Sequence, residues 1–257
     1  MIKKDYLLLW DFDGVIADSL IECLVTSYNA FATHTGQKKA FVWDRTDVPA
    51  CFKKEFFKSR KYVRRAGEFF VIYKAVCEGR TLKDYASFER VLRAIGKELE
   101  EYERQFYKAR DIFRNKRANT WAALHEVYPH IKKKWNSLEK FFKFYIVSNK
   151  DKNSIEIILK NAGFSLNPKD IYGKESGPDK AGIIEKILKK THVSPKHVFF
   201  IDDNCLHFQD VRRLNIKLFF ANWGYGDNEK KDFSDFVVLT PTNFDVKLRK
   251  ACYGTIR

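Results

Sequence analysis

The sequence predicts an α/β protein, a Rossmann-like parallel-sheet core interrupted by an inserted all-helical cap. Three observations carry this. Short apolar runs that stop abruptly at polar residues read as buried parallel strands. The second half of the 257-residue chain alternates such runs with helical periodicity. Between the first run and that alternation lies a long stretch whose apolar residues recur at three- and four-residue steps, the rhythm of helices.

Tyr6–Trp10 (Tyr-Leu-Leu-Leu-Trp) is the first strand and stops at Asp11. From Ile21 to Lys143 the pattern is helical. Phe69, Phe70, Tyr73 and Val76 mark one helix, while Phe88, Val91, Leu92, Ile95, Leu99, Tyr102 and Phe106 predict one long amphipathic helix. Beyond Phe141 come a strand over Phe144–Val147, helices over Ile155–Ala162 and Lys180–Lys190, and a strand over Val198–Ile201. A helix near Phe208–Leu214 and strands at Lys217–Phe220 and Phe236–Leu239 complete the series. The expected division is a core formed by residues 1–19 and 126–257 and a helical cap formed by residues 20–125.

Composition narrows the classes. Hydrophobic residues make up 45% and charged residues 32%, the balance of a folded soluble chain and not of a disordered or fibrous one. No apolar run approaches the ~18 residues of a membrane span. The amino-terminal Met1-Ile2-Lys3-Lys4-Asp5 sets an acid before a very short apolar stretch, unlike a signal peptide. Cys23, Cys51, Cys77, Cys205 and Cys252 are odd in number and never in Cys-x-x-Cys spacing. Neither a disulfide framework nor a zinc site is expected, and a cytoplasmic setting follows.

The net charge of +15 is uneven. Residues 19–145 hold 27 Lys and Arg against 15 Asp and Glu, whereas residues 1–18 are net acidic. The densest basic stretch contains Lys53, Lys54, Lys58, Arg60, Lys61, Arg64 and Arg65. Such clusters fit solvated helix faces as well as a field that draws anionic substrates or nucleic acid. On a helix Arg60 and Arg64 would share one side, and their guanidinium forks suit a phosphate or carboxylate. They are the candidate substrate face.

The sharpest local signal is Asp11-Phe12-Asp13-Gly14-Val15, followed by Asp18-Ser19. Two carboxylates two residues apart on extended backbone point the same way and repel unless a cation lies between them. Gly14 permits a tight turn, and Asp18 or Ser19 suits the N-cap of the next helix. A further acidic strand end is Asp202-Asp203-Asn204. If its strand neighbours the first, Asp11, Asp13 and Asp203 could share a hard cation such as Mg2+, with Asp202 turned away or joining as a weaker ligand. A third strand ends in Ser148-Asn149-Lys150, whose hydroxyl and backbone N–H groups suit phosphate oxygens.

Together these residues resemble the haloacid dehalogenase superfamily, over nearly the whole chain. The family has four motifs, of which the first is matched from Asp11 to Ser19. Ser148-Asn149 resembles motif two, and Asp202-Asp203 resembles motif four. Motif three is a lysine near a helix start, for which Lys180 in Gly177-Pro178-Asp179-Lys180 is the choice and Lys174 the runner-up. The chain departs from the family at His207, where Asp or Asn often stands. Trp223-Gly224-Tyr225-Gly226 resembles a segment of the phosphoglycolate phosphatase-like branch and reads as a strand-to-loop turn.

The resemblance implies a phosphatase. Asp11 would attack phosphorus, Asp13 would serve as acid and base, and Ser148, Asn149 and Lys180 would hold the phosphoryl oxygens. Asp11, Asp13 and Asp203, with Asp202, would hold Mg2+. The helical insert would be a lid that selects a small phosphorylated metabolite, such as phosphoglycolate, a sugar phosphate or a nucleotide. A sugar phosphomutase with the same first motif, or a nucleic-acid-associated phosphatase or binding protein, are the rival readings. No nucleic-acid recognition motif accompanies the basic residues. The aromatic stripe from Phe88 to Phe106 reads as lid core, and His34, His125, His130, His192 and His197 read as structural.

Overall fold

Strand β1 (Tyr6–Trp10) delivers the chain to the edge where the candidate site lies. The short strands β2 (Ala17–Asp18) and β3 (Glu126–Val127) pair antiparallel on either side of the helical insert. Beyond them come β4 (Phe142–Val147), β5 (Ile171–Tyr172), β6 (Val198–Asp202), β7 (Lys217–Ala221) and β8 (Val237–Leu239). The computed structural model describes residues 5–37, 40–177, 179–226 and 235–253. Met1–Lys4 of the amino-terminal reading and Pro178 of the lysine motif lie outside them.

Six strands form one parallel sheet in the order β5-β4-β1-β6-β7-β8. With β1 at the centre and both faces covered, its apolar run has no solvent side to serve, and Leu8, Leu9 and Trp10 are fully buried. Trp10 lies level with Ile146 of β4 and Ile201 of β6. The residues that follow these three positions therefore emerge side by side at the carboxyl edge. β4 is followed outward by β5 on one side of β1, and β6 by β7 and β8 on the other, and such a switch in strand order opens a crevice at that edge.

Contacts divide the chain into two units, residues 1–18 with 126–257, and residues 19–125. The latter is all helical: α1 (Leu20–His34), α2 (Ala50–Ser59), α3 (Phe69–Cys77), α4 (Tyr85–Ile95), α5 (Glu98–Lys116) and α6 (Ala118–Ala123). Its core is aromatic, with Phe31 stacked on Tyr73, Phe56 on Phe69, Phe69 on Phe106 and Phe70 on Tyr102. The stripe from Phe88 to Phe106 is thus core, but it spans two helices. Gly96 (φ 60°, ψ −131°) takes a backbone conformation that breaks the expected single helix between α4 and α5. Ser19 holds the N-cap position of α1 with no side-chain cap hydrogen bond, so the capping expected of it is not made.

The sheet unit is completed by α7 (Pro129–Glu139), α8 (Lys152–Asn161), α9 (Lys180–Thr191), α10 (Cys205–Val211) and α11 (Phe244–Cys252). Trp135 of α7 packs on Trp10, Phe144 and Phe164 over one face. Ile183, Ile184 and Ile187 of α9 join Leu7, Leu9, Tyr145 and Phe200 on the other. No helix among the described residues is long and apolar enough to cross a membrane.

One buried ion pair organises the helical unit. Glu22 of α1, fully buried, accepts both arms of Arg110 from α5 at 2.8 Å each, and also the Thr26 hydroxyl at 2.7 Å and the Trp121 indole N–H at 3.3 Å. The bidentate geometry offsets desolvation that either charge alone could not bear. Glu22→Ala leaves a buried guanidinium without its carboxylate and is expected to cost the helical unit about 3–5 kcal/mol. Urea unfolding followed by tryptophan fluorescence measures it, and an unchanged midpoint would contradict the assignment.

Candidate active site

Asp11 follows the last residue of β1, and its backbone N–H still donates to the Ile201 carbonyl at 2.9 Å, so sheet pairing fixes it. Its buried carboxylate accepts the Phe12 N–H at 2.7 Å through Oδ1 and meets the Lys180 ammonium at 2.8 Å through Oδ2. Lys180 opens α9, whose N-cap Asp179 accepts from the Gly182 N–H at 2.7 Å. This cap sets where the helix begins and thereby aims Lys180 at the strand ends. Lys174 lies outside α9, in a separate short 3-10 turn.

The Lys180 ammonium also meets Asp202 Oδ2 at 2.6 Å and lies 3.2 Å from His207 Nδ1. His207 Nδ1 is in turn 2.9 Å from the same Asp202 oxygen. The other oxygen of Asp202 accepts the Asn204 N–H at 2.8 Å. Asp11, Asp202 and His207 thus bring one ligand-type atom each within 4.8 Å of one another, with the ammonium against all three.

The electrostatics of this buried group oppose one another. Burial pushes the Asp11 carboxyl above the usual carboxylate range, an effect that Lys180 offsets in part and Asp202 reinforces. Burial would raise Asp202 too, but His207 and Lys180 outweigh it and hold this carboxyl well below its ordinary value. Burial would lower Lys180, yet the charges of Asp11 and Asp202 keep it above the usual lysine value.

Asp13, two residues beyond Asp11, meets the Lys150 ammonium at 3.1 Å. Lys150 is buried although charged, and its backbone N–H donates to the Ser148 hydroxyl at 3.3 Å. Ser148 continues β4 with its N–H on the Tyr172 carbonyl at 3.0 Å and is buried, while Asn149 is half-buried. The acidic pair thus stands between two lysines from different strand–helix turns. Sequence reasoning finds only Lys180, because nothing in the spacing from Asp13 to Lys150 reveals that they meet.

Asp203 is buried and accepts the Tyr225 N–H at 2.6 Å. Gly14, at φ +83°, gives a turn that L side chains rarely adopt, and a Cβ there would run into the Asp203 carboxylate. A Cβ at Gly226 would overlap the Asp203 backbone. Trp223 donates to the Val15 carbonyl at 3.1 Å, and the Tyr225 hydroxyl donates to Asp18 at 2.8 Å. The Trp-Gly-Tyr-Gly turn therefore does more than end β7, since it packs directly on the acidic loop. Tyr128 stands beside the same loop. Its hydroxyl is pushed up by burial and then by the charges of Asp18, Asp203 and Asp13.

Arg60 and Arg64 belong to the helical unit, and the expected shared helix face does not exist there. α2 ends at Ser59, a 3-10 turn covers Arg60–Tyr62, and Val63 is extended. Arg60 donates to the Val63 carbonyl at 3.1 Å and lies over the Phe69 ring, while the Arg64 N–H is held by Glu68 at 2.6 Å. Val63 and Ala66 turn inward to the core, which breaks the helix that sequence spacing alone suggests.

A family model for haloacid dehalogenase-like hydrolases matches residues 7–205, and the chain belongs to that family. No curated protein matches it. Among solved structures, a predicted phosphoglycolate phosphatase from Haemophilus somnus is similar at a TM-score of 0.62 and 16% identity, over 97% of this chain and 100% of that one. A haloacid dehalogenase-like family protein from Streptococcus pneumoniae gives 0.58 and 16%, over 95% and 98%. At such identity these likenesses speak for a shared fold.

The opposed carboxyls predict a signed acid response. Asp202, depressed in the folded chain, contributes stability that is present above its ordinary value near 3.8 and lost as pH falls through the lower folded value. Asp11, raised, acts oppositely and above that value. Below about pH 4 stability should therefore fall steeply, and Asp202→Asn should flatten that limb. Urea midpoints between about pH 5 and about pH 2 test it, and an equally steep fall in the variant would exclude Asp202 as its source.

Proposed function

We propose that the chain is a Mg2+-dependent phosphatase that hydrolyses a small phosphomonoester through an aspartyl-phosphate on Asp11. The reading rests above all on one observation. A buried carboxylate at the carboxyl end of the central strand is fixed by the Lys180 ammonium at 2.8 Å, with another carboxylate two residues on. The likeness to phosphoglycolate phosphatase folds agrees with it.

The donor set fits a hard divalent cation. Asp11 is a buried carboxylate whose single ammonium does not bring it back to the ordinary range, so it is short of positive charge. Asp203 supplies another buried carboxylate, packed against Gly14. These two and the Asp13 main-chain carbonyl would hold Mg2+, which would neutralise charge on the phosphoryl oxygens. Asp202, with both oxygens engaged by protein donors, acts in this reading mainly as the anchor of Lys180.

In the first step an Asp11 oxygen attacks phosphorus as the bond to the alcohol oxygen breaks, and Asp13 gives that oxygen its proton. In the next, water attacks the phosphorus of the aspartyl-phosphate, its proton passes to Asp13, and orthophosphate leaves with the Asp11 carboxylate regenerated. Lys180, Ser148 and Asn149 hold the equatorial oxygens, where most of the acceleration of phosphoryl transfer arises. Lys150 positions Asp13. Substrate selection falls in this reading to the helical unit, whose basic residues include Arg60 and Arg64.

Phosphate release from a panel of phosphorylated metabolites, including phosphoglycolate, sugar phosphates and nucleotides, tests this. Turnover is expected only with a divalent cation, to fall roughly 10^4–10^6-fold in Asp11→Asn, and to fall about 10^2–10^4-fold in Asp13→Asn. Turnover that survives in Asp11→Asn would overturn the mechanism. A panel silent with every divalent cation would overturn the hydrolytic reading.

A further inference from the structure

The proposed chemistry leaves one buried group without a task. His207 is 7% exposed, its Nδ1 touches both Asp202 and Lys180, and its Nε2 is buried with no hydrogen-bond partner among the described residues. Its two contacts cannot both be hydrogen bonds from a single nitrogen. Asp202 is an acceptor and the Lys180 ammonium a donor, so Nδ1 serves one or the other.

Two independent considerations choose the same tautomer. The contact with Asp202 is the shorter, 2.9 Å against 3.2 Å, and a hydrogen bond to a buried carboxylate is the stronger kind. If Nδ1 were instead the acceptor from Lys180, the ring proton would sit on Nε2. It would then be a buried N–H with no partner, which costs more than leaving an acceptor lone pair there. The proton therefore belongs on Nδ1.

We infer that His207 is a positioning residue: with its ring proton on Nδ1 it fixes Asp202, and through Asp202 it fixes the Lys180 ammonium against Asp11. Asp202 then receives three donors, Asn204 N–H on one oxygen and Lys180 and His207 on the other. With its carboxylate so held, the ammonium has one place to stand. His207 thus acts on the lysine and not on the cation. The kinetic consequence rests on the phosphatase reading, whereas the tautomer does not.

The experiment uses the full chain and three variants. In His207→Asn the amide nitrogen falls where Nδ1 was. His207→Gln reaches only toward Nε2, and His207→Phe keeps the ring without the donor. Turnover should fall about 10–100-fold in the Phe and Gln variants, mainly in kcat with KM little changed, and be largely restored in Asn. Mg2+ binding by calorimetry should match wild type in all three. Long-range 15N–1H spectra of the metal-free wild type, with His207 assigned from His207→Asn, should show Nδ1 protonated and Nε2 bare.

A proton on Nε2 would overturn the inference whether or not the protein turns over substrate. So would lost Mg2+ binding in the Phe and Gln variants, which would assign His207 to the metal. An Asn variant as impaired as Phe would also overturn it, and Gln serves in place of Phe if the latter does not fold. A wild type that hydrolyses nothing would fail the phosphatase reading alone, and the tautomer would then decide the inference.

Discussion

The ammonium of Lys180 is the contact on which the pairing of Asp11 with Asp202 depends. Lys180 stands against two carboxylates, Asp11 at 2.8 Å and Asp202 at 2.6 Å, in a place almost without solvent. Taking these charges out of water is expensive, and only mutual attraction with saturated hydrogen bonding repays it. Three elements must therefore arrive together, namely the end of β1, the end of β6 and the first turn of α9. The parallel pairing of β1 with β6 brings the two acids into register, and the Asp179 cap starts α9 where its first residue reaches both. Losing Lys180 would leave two buried carboxylates without their shared cation.

The balance is incomplete, and that incompleteness is what makes the site reactive in the proposed reading. Asp11 and Asp202 bring two negative charges to one positive, and Asp203 lies buried against the same turn. Burial drives Asp11 toward the neutral form while Asp202 is held charged. Two neighbouring carboxyls pushed apart in this way divide their tasks, one as anchor and the other as the group open to new partners. In that reading a divalent cation would supply the positive charge that such an arrangement lacks.

Much of this is legible in the sequence because strand ends announce themselves. Apolar runs that stop at Asp11, Ser148 and Asp202 locate three strands and place the following polar residues on one edge once the sheet is parallel. Lys180 is legible only as one of two lysines, since the distance along the chain does not set reach, and the cap at Asp179 decides where α9 begins. Lys150 is hidden because its partner lies 137 residues away. The break at Gly96 is hidden because the apolar stripe runs on across it. Arg60 and Arg64 mislead for the opposite reason. Their spacing fits a helix, but Val63 and Ala66 are needed in the core, and burial overrides the local pattern.

Sparse glycine is the last constraint that joins sequence to site. The chain has 12 glycines in 257 residues, yet Gly14, Gly224 and Gly226 all face Asp203. A buried carboxylate with glycine backbone this close has little freedom to move. The acceptor geometry from Tyr225 N–H fixes its remaining oxygen direction. Asp11, held by sheet pairing on one side of the acidic loop, and Asp203, boxed by glycine backbone, are thus rigid by different means. Lys180 is the adjustable member between strand ends, a long side chain that needs Asp202 and His207 to hold it. Preorganisation at this edge is therefore built from backbone where the acids stand and from a hydrogen-bonded chain of side chains where the cation stands.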